Sequence, residues 1–300
     1  MSVDVLKLQI SAPNAHFRVV HSSEPQKTYP VPPYSTIIGF LSNILGDKEY
    51  IESMLNGDLA LGILSKYNYI TREYTWLRNL HPAAHIKRFG SQGNRFWSEV
   101  SEHAGGQSPV SIEVLNDVHL ALYIYHPNSA LLEMLQKNIV CPEKWYSHLH
   151  LGRAEDWAAV NSVSVISLIL SNSPADLRNS SQYYQWMPEP AFTFGIGDYI
   201  NEKHYKELYH KIQGPAMLVT SIYNLVKVPY MEKKGTRVIT RNDIIRNFKH
   251  VPTRLTDSPI PFLDDFMLPT VFTDPKLKTS IYMANIAGSS NTKGGFGHAK

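Results

Sequence analysis

The order of the predicted elements along this 300-residue chain predicts an α+β fold of the ferredoxin-like, βαββαβ type. A strand, a helix and a second strand follow one another within residues 3–64, and the same order returns within residues 118–170. About fifty residues separate the two halves, at a point where this arrangement normally needs a short turn. We therefore predict a first domain over residues 1–170 with an insertion at 66–117, followed by a β-rich region over residues 171–300.

The first half is predicted from the spacing of its apolar residues. Residues 3–10 alternate in polarity with one phase slip, which indicates a β-strand. Ser35 is the expected N-cap of the following helix, and Gly46 is its expected C-terminal stop. Residues 59–64 form an apolar run that predicts the second strand. The apolar positions of the helix share one face, at Ile37, Ile38, Leu41, Ile44 and Leu45.

The second half repeats this pattern with clearer signals. Residues 118–125 alternate and predict the third strand. A helix then begins with Asn128 or Ser129 as its cap and runs to Ile139. Residues 163–170 predict the fourth strand.

The region beyond residue 170 is predicted mainly as strands. Residues 216–228 indicate one or two strands, and residues 233–236 indicate a turn. Residues 237–240 would form the return strand of that hairpin, and residues 243–248 a short helix. The proline-rich run over 252–275 predicts irregular surface chain.

The composition excludes several classes of protein. The single cysteine, Cys141, can form neither an intramolecular disulfide nor a Cys-rich zinc site, so a reducing cytoplasm is the expected location. The longest mostly apolar stretch, residues 163–170, is too short to cross a bilayer. The first residues also lack the pattern of a signal peptide. We therefore expect a cytoplasmic protein with no membrane association.

No motif predicts a metal, a cofactor or a catalytic set. Residues 194–200 begin like a dinucleotide fingerprint, but Ile200 stands where the third glycine belongs. His81 and His85 have the spacing of zinc ligands without a helix or carboxylate nearby. A metal-independent ribonuclease needs only a general base, a general acid and a cation. The pairs 203–204 and 249–250, each Lys-His, supply such groups, although such pairs are common by chance.

The net charge of +3 is divided unevenly along the chain. It is +1 over residues 1–110, −4 over 111–190 and +6 over 191–300. Residues 227–254 hold eight basic residues against two acidic ones, which indicates either a surface for a polyanion or a solvated basic face. The candidate residues of this second nucleic-acid surface are Lys233, Lys234, Arg237, Arg241, Arg246 and Lys249.

The insertion interleaves basic and aromatic residues. Cations hold phosphates and aromatic rings stack on unpaired bases, so the mixture is typical of proteins that bind single-stranded nucleic acid. A β-hairpin packed by its own aromatic rings is the alternative, and for the tryptophans it is favoured. The candidate residues are Arg72, Trp76, Arg78, Lys87, Arg88, Arg95, Phe96 and Trp97.

Residues 28–39, with the sequence Thr-Tyr-Pro-Val-Pro-Pro-Tyr-Ser-Thr-Ile-Ile-Gly, carry a resemblance to a known family. Residues 17–18 after the first strand, residues 109–115 before the third and residues 149–156 before the fourth support it. Together they resemble the CRISPR-associated Cas-five family, which holds the 5′ handle of the guide RNA (crRNA) in type I Cascade complexes. The overall pattern is most similar to the type I-B branch.

The resemblance implies an RRM-like form of the ferredoxin-like fold, in which the insertion is a β-hairpin thumb. It implies a non-catalytic, RNA-binding subunit of a prokaryotic ribonucleoprotein complex that caps the 5′ handle of crRNA. The implied partners are the Cas-seven backbone subunit, the Cas-eight large subunit and target DNA near the PAM, with no cofactor and no homo-oligomer. The complex would serve antiviral defence or CRISPR-associated transposition.

The same resemblance gives residue roles. The proline run fixes an extended loop and aims the first helix so that its free N–H groups face phosphate. Arg153 either holds a second phosphate or pairs with Glu155 or Asp156. Thumb residues would contact the guide or the backbone subunit. The implied RNA-binding residues are His16, Arg18, Lys27, Tyr29, Tyr34, Ser35, Thr36 and Arg153.

Two alternatives compete with this function. In the type I-C branch the same subunit is a metal-independent endoribonuclease that processes precursor crRNA with a Tyr, Lys and His set in its RRM-like half. Here Lys-His pairs occur only after residue 200, so the non-catalytic subunit is favoured. The other alternative is an α+β scaffold or ligand-binding protein outside the family, against which the proline signature argues.

Overall fold

Most strands of the chain join into one large antiparallel sheet with a few helices packed on it, and two short strands form a separate pair. The computed structural model describes residues 2–78, 96–97, 100–101, 107–172, 183–212, 214–234, 237–256 and 270–286. The sheet has eleven strands among these residues. The α+β class predicted from the sequence is therefore confirmed.

The helices and strands have the following bounds. The helices are α1 (Tyr34–Leu45), α2 (Lys48–Asn56), α3 (Ser129–Ile139) and α4 (Glu202–Lys211). The strands are β1 (Ser2–Ala15), β2 (Ala60–Lys66), β3 (Tyr69–Arg78), β4 (Phe96–Trp97), β5 (Val100–Ser101), β6 (Gln107–Tyr125), β7 (Ala159–Ser171), β8 (Tyr184–Pro188), β9 (Ala216–Lys234), β10 (Arg237–Thr256), β11 (Val271–Asp274), β12 (Thr279–Ile281) and β13 (Met283–Asn285).

The centre of the sheet consists of β7, β1, β6 and β2 in that order, with every neighbouring pair antiparallel. Both faces of β1 are buried: Leu6, Leu8 and Ile10 lie in the core beneath α1 and α3, and Val3 and Val5 lie in the core beneath α4. A strand covered on both faces carries apolar residues in both phases. The phase slip in the sequence is therefore the sign of a strand buried on both sides.

The C-terminal strands close this sheet on itself. Only Tyr282 separates β12 from β13, yet β12 pairs with β11 beside β7, and β13 pairs with β2. The path from β2 through β6, β1, β7, β11 and β12 therefore returns to β2. Closure pairs edges that would otherwise offer free N–H and C=O groups.

The caps of the helices differ from the prediction at one position. Helix α1 starts at Tyr34 with Pro33 as its N-cap, so the prediction that Ser35 caps it is wrong. The physical reason is that the carbonyl of Pro33 already accepts from the N–H of Thr36, at 3.0 Å. The predicted stop at Gly46 is confirmed by its left-handed φ of 59°, and Asn128 is the cap of α3.

Strands β9 and β10 form a hairpin of nineteen and twenty residues. The predicted strand over 216–228 is therefore one strand, and the predicted short helix over 243–248 is wrong. Residues 243–248 pair along 223–228 of β9, and Ile244, Ile245 and Phe248 are residue types that favour strands. The irregular run predicted over 252–275 contains the end of β10 and all of β11; residues 257–269 lie outside the described residues. Every helix in the described ranges is too short or too polar to span a membrane.

Candidate nucleic-acid interface

A cleft of about 1580 Å³ opens between the N-terminal loop, the first turn of α1 and the base of the β9–β10 hairpin. Arg18 lies on the loop side, Ser35 on the helix side, and Phe248 and His250 on the hairpin side. Glu73 of β3 and the turn at 152–156 complete its wall. Segments that lie some 230 residues apart in the sequence, from Arg18 to Phe248, thus share one site.

The N-terminal loop is a small folded unit that lies on β6. Phe17 and Tyr29 pair through Tyr29 N–H and the Phe17 carbonyl, at 2.8 Å, and the Thr28 hydroxyl accepts from Phe17 N–H at 2.9 Å. Gln26 bonds to Ser111 and Glu113 of β6 through its backbone, at 2.8 and 2.9 Å.

This pairing of the N-terminal loop holds the exposed Arg18 at the mouth of the cleft. Lys27 lies on the same loop and is exposed, but outside the lining of the cleft.

The proline run is fixed by two side chains that the sequence did not single out. The indole N–H of Trp186 donates to the Pro32 carbonyl at 3.0 Å, and the hydroxyl of Ser65 donates to the Pro30 carbonyl at 2.6 Å. Tyr29 packs edge-on against Trp186, with ring centroids 5.7 Å apart. Since β8 and β2 supply these anchors through long-range pairing, no local sequence signal identifies them.

The first turn of α1 presents Ser35 and Thr36 to the cleft. Its N-cap, Pro33, makes no side-chain capping bond, so the first turn relies on its own backbone. Tyr34 differs from its neighbours, because its side chain is only 1% exposed and lies in the core. Burial raises the pKa of Tyr34 far above its ordinary value. Of the three predicted contacts on this turn, Ser35 and Thr36 line the cleft, and Tyr34 does not.

His16 lines the cleft as a neutral, buried side chain. Its Nδ1 lies 2.7 Å from the carbonyl oxygen of Glu113, and its backbone N–H donates to Asp156 at 3.1 Å. Burial lowers the pKa of His16 below its ordinary 6.5, so the ring carries no charge at neutral pH. With Nδ1 donating to the carbonyl, Nε2 is the acceptor nitrogen, and it makes no hydrogen bond within the described part of the chain.

Arg153 is held by carboxylates on the wall of the cleft. Its guanidinium donates two hydrogen bonds to Asp156 and one to Glu73, and it lies 3.6 Å from Glu155. The hydrogen bonds to Asp156 are the main cause of the raised pKa of Arg153. Of the two roles predicted for Arg153, the geometry agrees with pairing to Glu155 and Asp156. Glu73 is a third partner, from a distant part of the sequence.

The basic residues of the C-terminal region lie on the β9–β10 hairpin. Arg246 and Lys249 are exposed there, and the guanidinium of Arg246 lies 4.9 Å above the ring of Tyr223. The strands also include Lys233, Lys234, Arg237 and Arg241, whose side chains lie outside the described part of the structure. The base of this hairpin reaches the cleft.

The start of the insertion forms a two-stranded extension of the sheet, β3 along β6. Glu73 and Thr75 face the cleft, whereas Tyr74 and Trp76 are 72% and 61% exposed on the other side. Arg72 lies 3.8 Å from Glu113. Residues Lys87, Arg88 and Arg95 are outside the described residues, as are the side chains of Arg78, Phe96 and Trp97.

The described residues include no cluster of three or more His, Cys, Asp or Glu side chains placed to hold a metal ion. Three carboxylates on the wall of the cleft, Glu73, Glu155 and Asp156, are paired with Arg153. The cleft also presents the guanidinium of Arg18, backbone donors and half-buried aromatic rings to a ligand. Such groups bind phosphates and stack on bases.

Comparison with known proteins gives the class of the chain. A family model described as CRISPR-associated protein (Cas_Cas5) matches residues 5–176, more than half of the sequence. The chain therefore belongs to the CRISPR-associated Cas5 family, as the resemblance of its proline signature predicted. No curated protein sequence gives a significant match.

Several solved structures show a distant likeness. A chain of a "CRISPR RNA-guided surveillance complex" has a TM-score of 0.46 at 10% identity, covering 86% of this chain and 91% of its own. A structure described as "Crystal structure of Cas protein" has a TM-score of 0.34 at 11% identity, covering 83% and 95%. A chain of the type III-B Cmr-beta complex bound to cognate target RNA and AMPPnP has a TM-score of 0.35 at 11% identity, covering 84% and 86%.

Proposed function

We propose that this chain is a non-catalytic RNA-binding subunit of a type I Cascade complex, and that its cleft holds the 5′ handle of crRNA. The observation that carries the proposal is the convergence of the family's proline signature, the first turn of α1 and the C-terminal hairpin on one cleft. At about 1580 Å³ the cleft is larger than the ~300–1,000 Å³ of pockets for small ligands, and it is open to a strand of several nucleotides.

Each group in the cleft has a proposed role. Arg18 and Lys27 supply positive charge at the loop, and the backbone N–H of Ser35, with the hydroxyls of Ser35 and Thr36, binds a phosphate at the start of α1. Tyr29 offers a half-buried ring braced by Trp186. Arg153 is a positioning residue, since its donors bond to Asp156 and Glu73 and thereby fix the wall against which the RNA lies.

The same proposal covers the type of core, the insertion and the partner subunits. The β7, β1, β6, β2 order supports a ferredoxin-like, RRM-like core, for which we propose the insertion over 66–117 as the thumb. The exposed Tyr74 and Trp76 on the outer side of β3 suit contact with a Cas-seven backbone subunit. A Cas-eight subunit, target DNA near the PAM, a type I-B complex and a cytoplasmic location complete the proposal.

The test measures binding of crRNA to the full-length chain at several salt concentrations. Arg18→Glu with Lys27→Glu should weaken binding at least about tenfold and make the salt dependence shallower, since log K falls with log salt in proportion to the phosphates neutralised. The matched control is Lys48→Glu with Lys144→Glu, which reverses two exposed charges outside the cleft. Equal salt slopes for the double variant of Arg18 and Lys27 and for the wild type would overturn the phosphate roles.

A second candidate function is cleavage of precursor crRNA. The observation that supports this candidate is that His250, which belongs to a Lys-His pair, lines the same cleft as His16 and His21. The discriminating experiment incubates the full chain with repeat RNA in EDTA. We expect no cleavage; specific cleavage that is lost in His250→Ala would establish the ribonuclease instead.

A further inference from the structure

We propose that the cleft side of the β9–β10 hairpin is a second binding surface for single-stranded RNA, on which Tyr223 and Phe248 stack unpaired bases. The inference rests on the proposed function, because it describes where an RNA strand in the cleft continues. It gives a role to the hairpin wall of the cleft and extends the binding surface along the hairpin beyond that wall. It also assigns roles to aromatic residues that neither the family signature nor the charge pattern indicated.

The strand register places these rings on the side that faces the cleft. Thr220 pairs with His250 and Tyr223 pairs with Phe248, so two residues of β9 oppose one of β10 between them, which is a β-bulge. Such a bulge shifts the alternation of side chains by one residue on the longer strand. Thr220, His250 and Phe248 line the cleft, and Tyr223, directly opposite Phe248, lies on the same side.

The rings form a ready platform. Tyr223 and Phe248 are each 46% exposed, and their centroids are 5.7 Å apart in an edge-to-face arrangement. The guanidinium of Arg246 lies 4.9 Å above the centre of the Tyr223 ring, which places the cation over one face of the platform. Exposed rings flanked by a cation are the arrangement that stacks unpaired bases while the cation neutralises the backbone.

The two sides of the hairpin differ in composition beyond the bulge. The cleft side continues with the pairs Leu225–Arg246 and Lys227–Ile244, and so carries two cations beside its rings. The opposite side presents the pairs Asn224–Asn247 and Val226–Ile245 and, at the bulge, the exposed cation Lys249. The exposed rings beside Arg246 and the continuity with the cleft therefore select single-stranded RNA as the occupant of the cleft side.

The experiment uses the full-length chain and two unstructured single-stranded RNAs, of about 8 and about 20 nucleotides, because OB-type grooves cover ~4–16 nucleotides per site. Tyr223→Leu with Phe248→Leu removes stacking but keeps apolar side chains. The matched control is Val226→Leu with Ile245→Leu on the opposite side. Fluorescence anisotropy gives affinities, and urea unfolding checks that each variant is as stable as the wild type.

The expected result is a loss of at least about tenfold in affinity for the long RNA, with little change for the short one and none for the control. If the double Leu variant does not fold, Arg246→Gln gives the same readout with a smaller loss. Photo-crosslinking of thiouridine in the long RNA should modify Tyr223 or Phe248.

Other outcomes separate the two proposals. In one outcome the wild type binds, the loop variant of Arg18 and Lys27 loses affinity and the hairpin variant does not. In that case the hairpin inference is wrong and the proposed function stands. If the wild type binds neither RNA, the proposed function fails as well. If the hairpin variant keeps RNA affinity but no longer assembles with a Cascade subunit, the surface binds protein and the inference is overturned.

Discussion

The guanidinium of Arg153 and the carboxylate of Asp156 form a bidentate pair: Nε donates to Oδ2 at 2.9 Å, and Nη2 donates to Oδ1 at 2.7 Å. Nη1 of Arg153 reaches Oε2 of Glu73 at 2.7 Å, and Oδ2 of Asp156 also accepts from the backbone of His16 at 3.1 Å. The pair thus joins the N-terminal loop, the turn at 152–156 and strand β3 on one wall of the cleft.

Asp156→Ala is expected to lower the free energy of unfolding by about 3 kcal/mol, because it leaves the guanidinium of Arg153 partly buried without its main counter-charge. Urea unfolding measures this loss. Glu155→Ala is the matched control: this carboxylate is 68% exposed and lies 3.6 Å from the guanidinium, so its removal should cost less than about 1 kcal/mol. Equal losses for the two variants would contradict the structural role of the pair.

Gly152→Ala is expected to destabilise the protein by more than about 3 kcal/mol. The φ of Gly152 is +90°, and a Cβ there would lie 2.1 Å from the carbonyl oxygen of His16, on backbone that cannot easily move. Thermal and urea unfolding should both report the change.

Gly197→Ala separates the clash from the strain. Gly197 has a similar φ of +86° but no atom within 4 Å of an added Cβ. Its substitution should therefore cost only the backbone strain, about 1–2 kcal/mol. If the two alanine variants were equally unstable, the contact between the 152–156 turn and the N-terminal loop would contribute nothing.

Asp274 should make stability depend on acidity. Burial alone would raise the pKa of Asp274, but hydrogen bonds from Lys7 and Tyr123 outweigh it and hold the pKa below the ordinary 3.8. On acidification, the carboxylate of Asp274 is protonated in the unfolded chain before it is protonated in the folded one. The contribution of Asp274 to the free energy of unfolding is therefore fully present above about pH 5 and is lost as the pH falls through 3.8 toward the folded pKa.

Asp274→Asn isolates that contribution from the other carboxylates. The variant should be less stable at neutral pH, since Lys7 is then buried without a counter-charge, and its stability should fall less steeply in acid. Unfolding free energies from pH 3 to pH 7 for both proteins provide the comparison. Parallel acid profiles would show that Asp274 titrates alike in the folded and unfolded chains.

Trp186→Phe should weaken RNA binding indirectly, because Trp186 supports the proline run and does not itself contact RNA in the proposed site. The change removes the hydrogen bond to the Pro32 carbonyl, worth about 1 kcal/mol, and keeps a ring against Tyr29. A loosened proline run then positions Tyr29 and α1 less well. Trp157→Phe, at a side chain 67% exposed, is the control and should leave both stability and affinity unchanged.

The sequence predicted best those features whose cause is local. The face of α1 follows from the spacing of Ile37, Leu41 and Ile44, and all three are fully buried. The stop at Gly46 follows from the need for a left-handed residue. The cap at Pro33 was missed because a proline carbonyl accepts the first helical bonds without any side-chain signal.

Long-range pairing explains what the sequence did not predict. Residues 243–248 form a strand only because they pair with residues 223–228 of β9. Nothing within the segment itself indicates that pairing, so the local sequence predicts a helix instead. Glu73 and Arg153 are eighty residues apart, and Trp186 meets Pro32 across 154. The proline signature predicts one side of the cleft. The structure adds the hairpin side, where Thr220, Phe248 and His250 line the same cleft.

The closed path of the sheet has a consequence for how the chain acquires its structure. Ala60 pairs with Asn285, so β2 meets β13 only after 225 further residues have been made. On the ribosome, β2 and β7 remain without these neighbours while the intervening chain is synthesised. Folding is thus late and dominated by distant contacts, which predicts slow refolding and a need for protection from aggregation during synthesis.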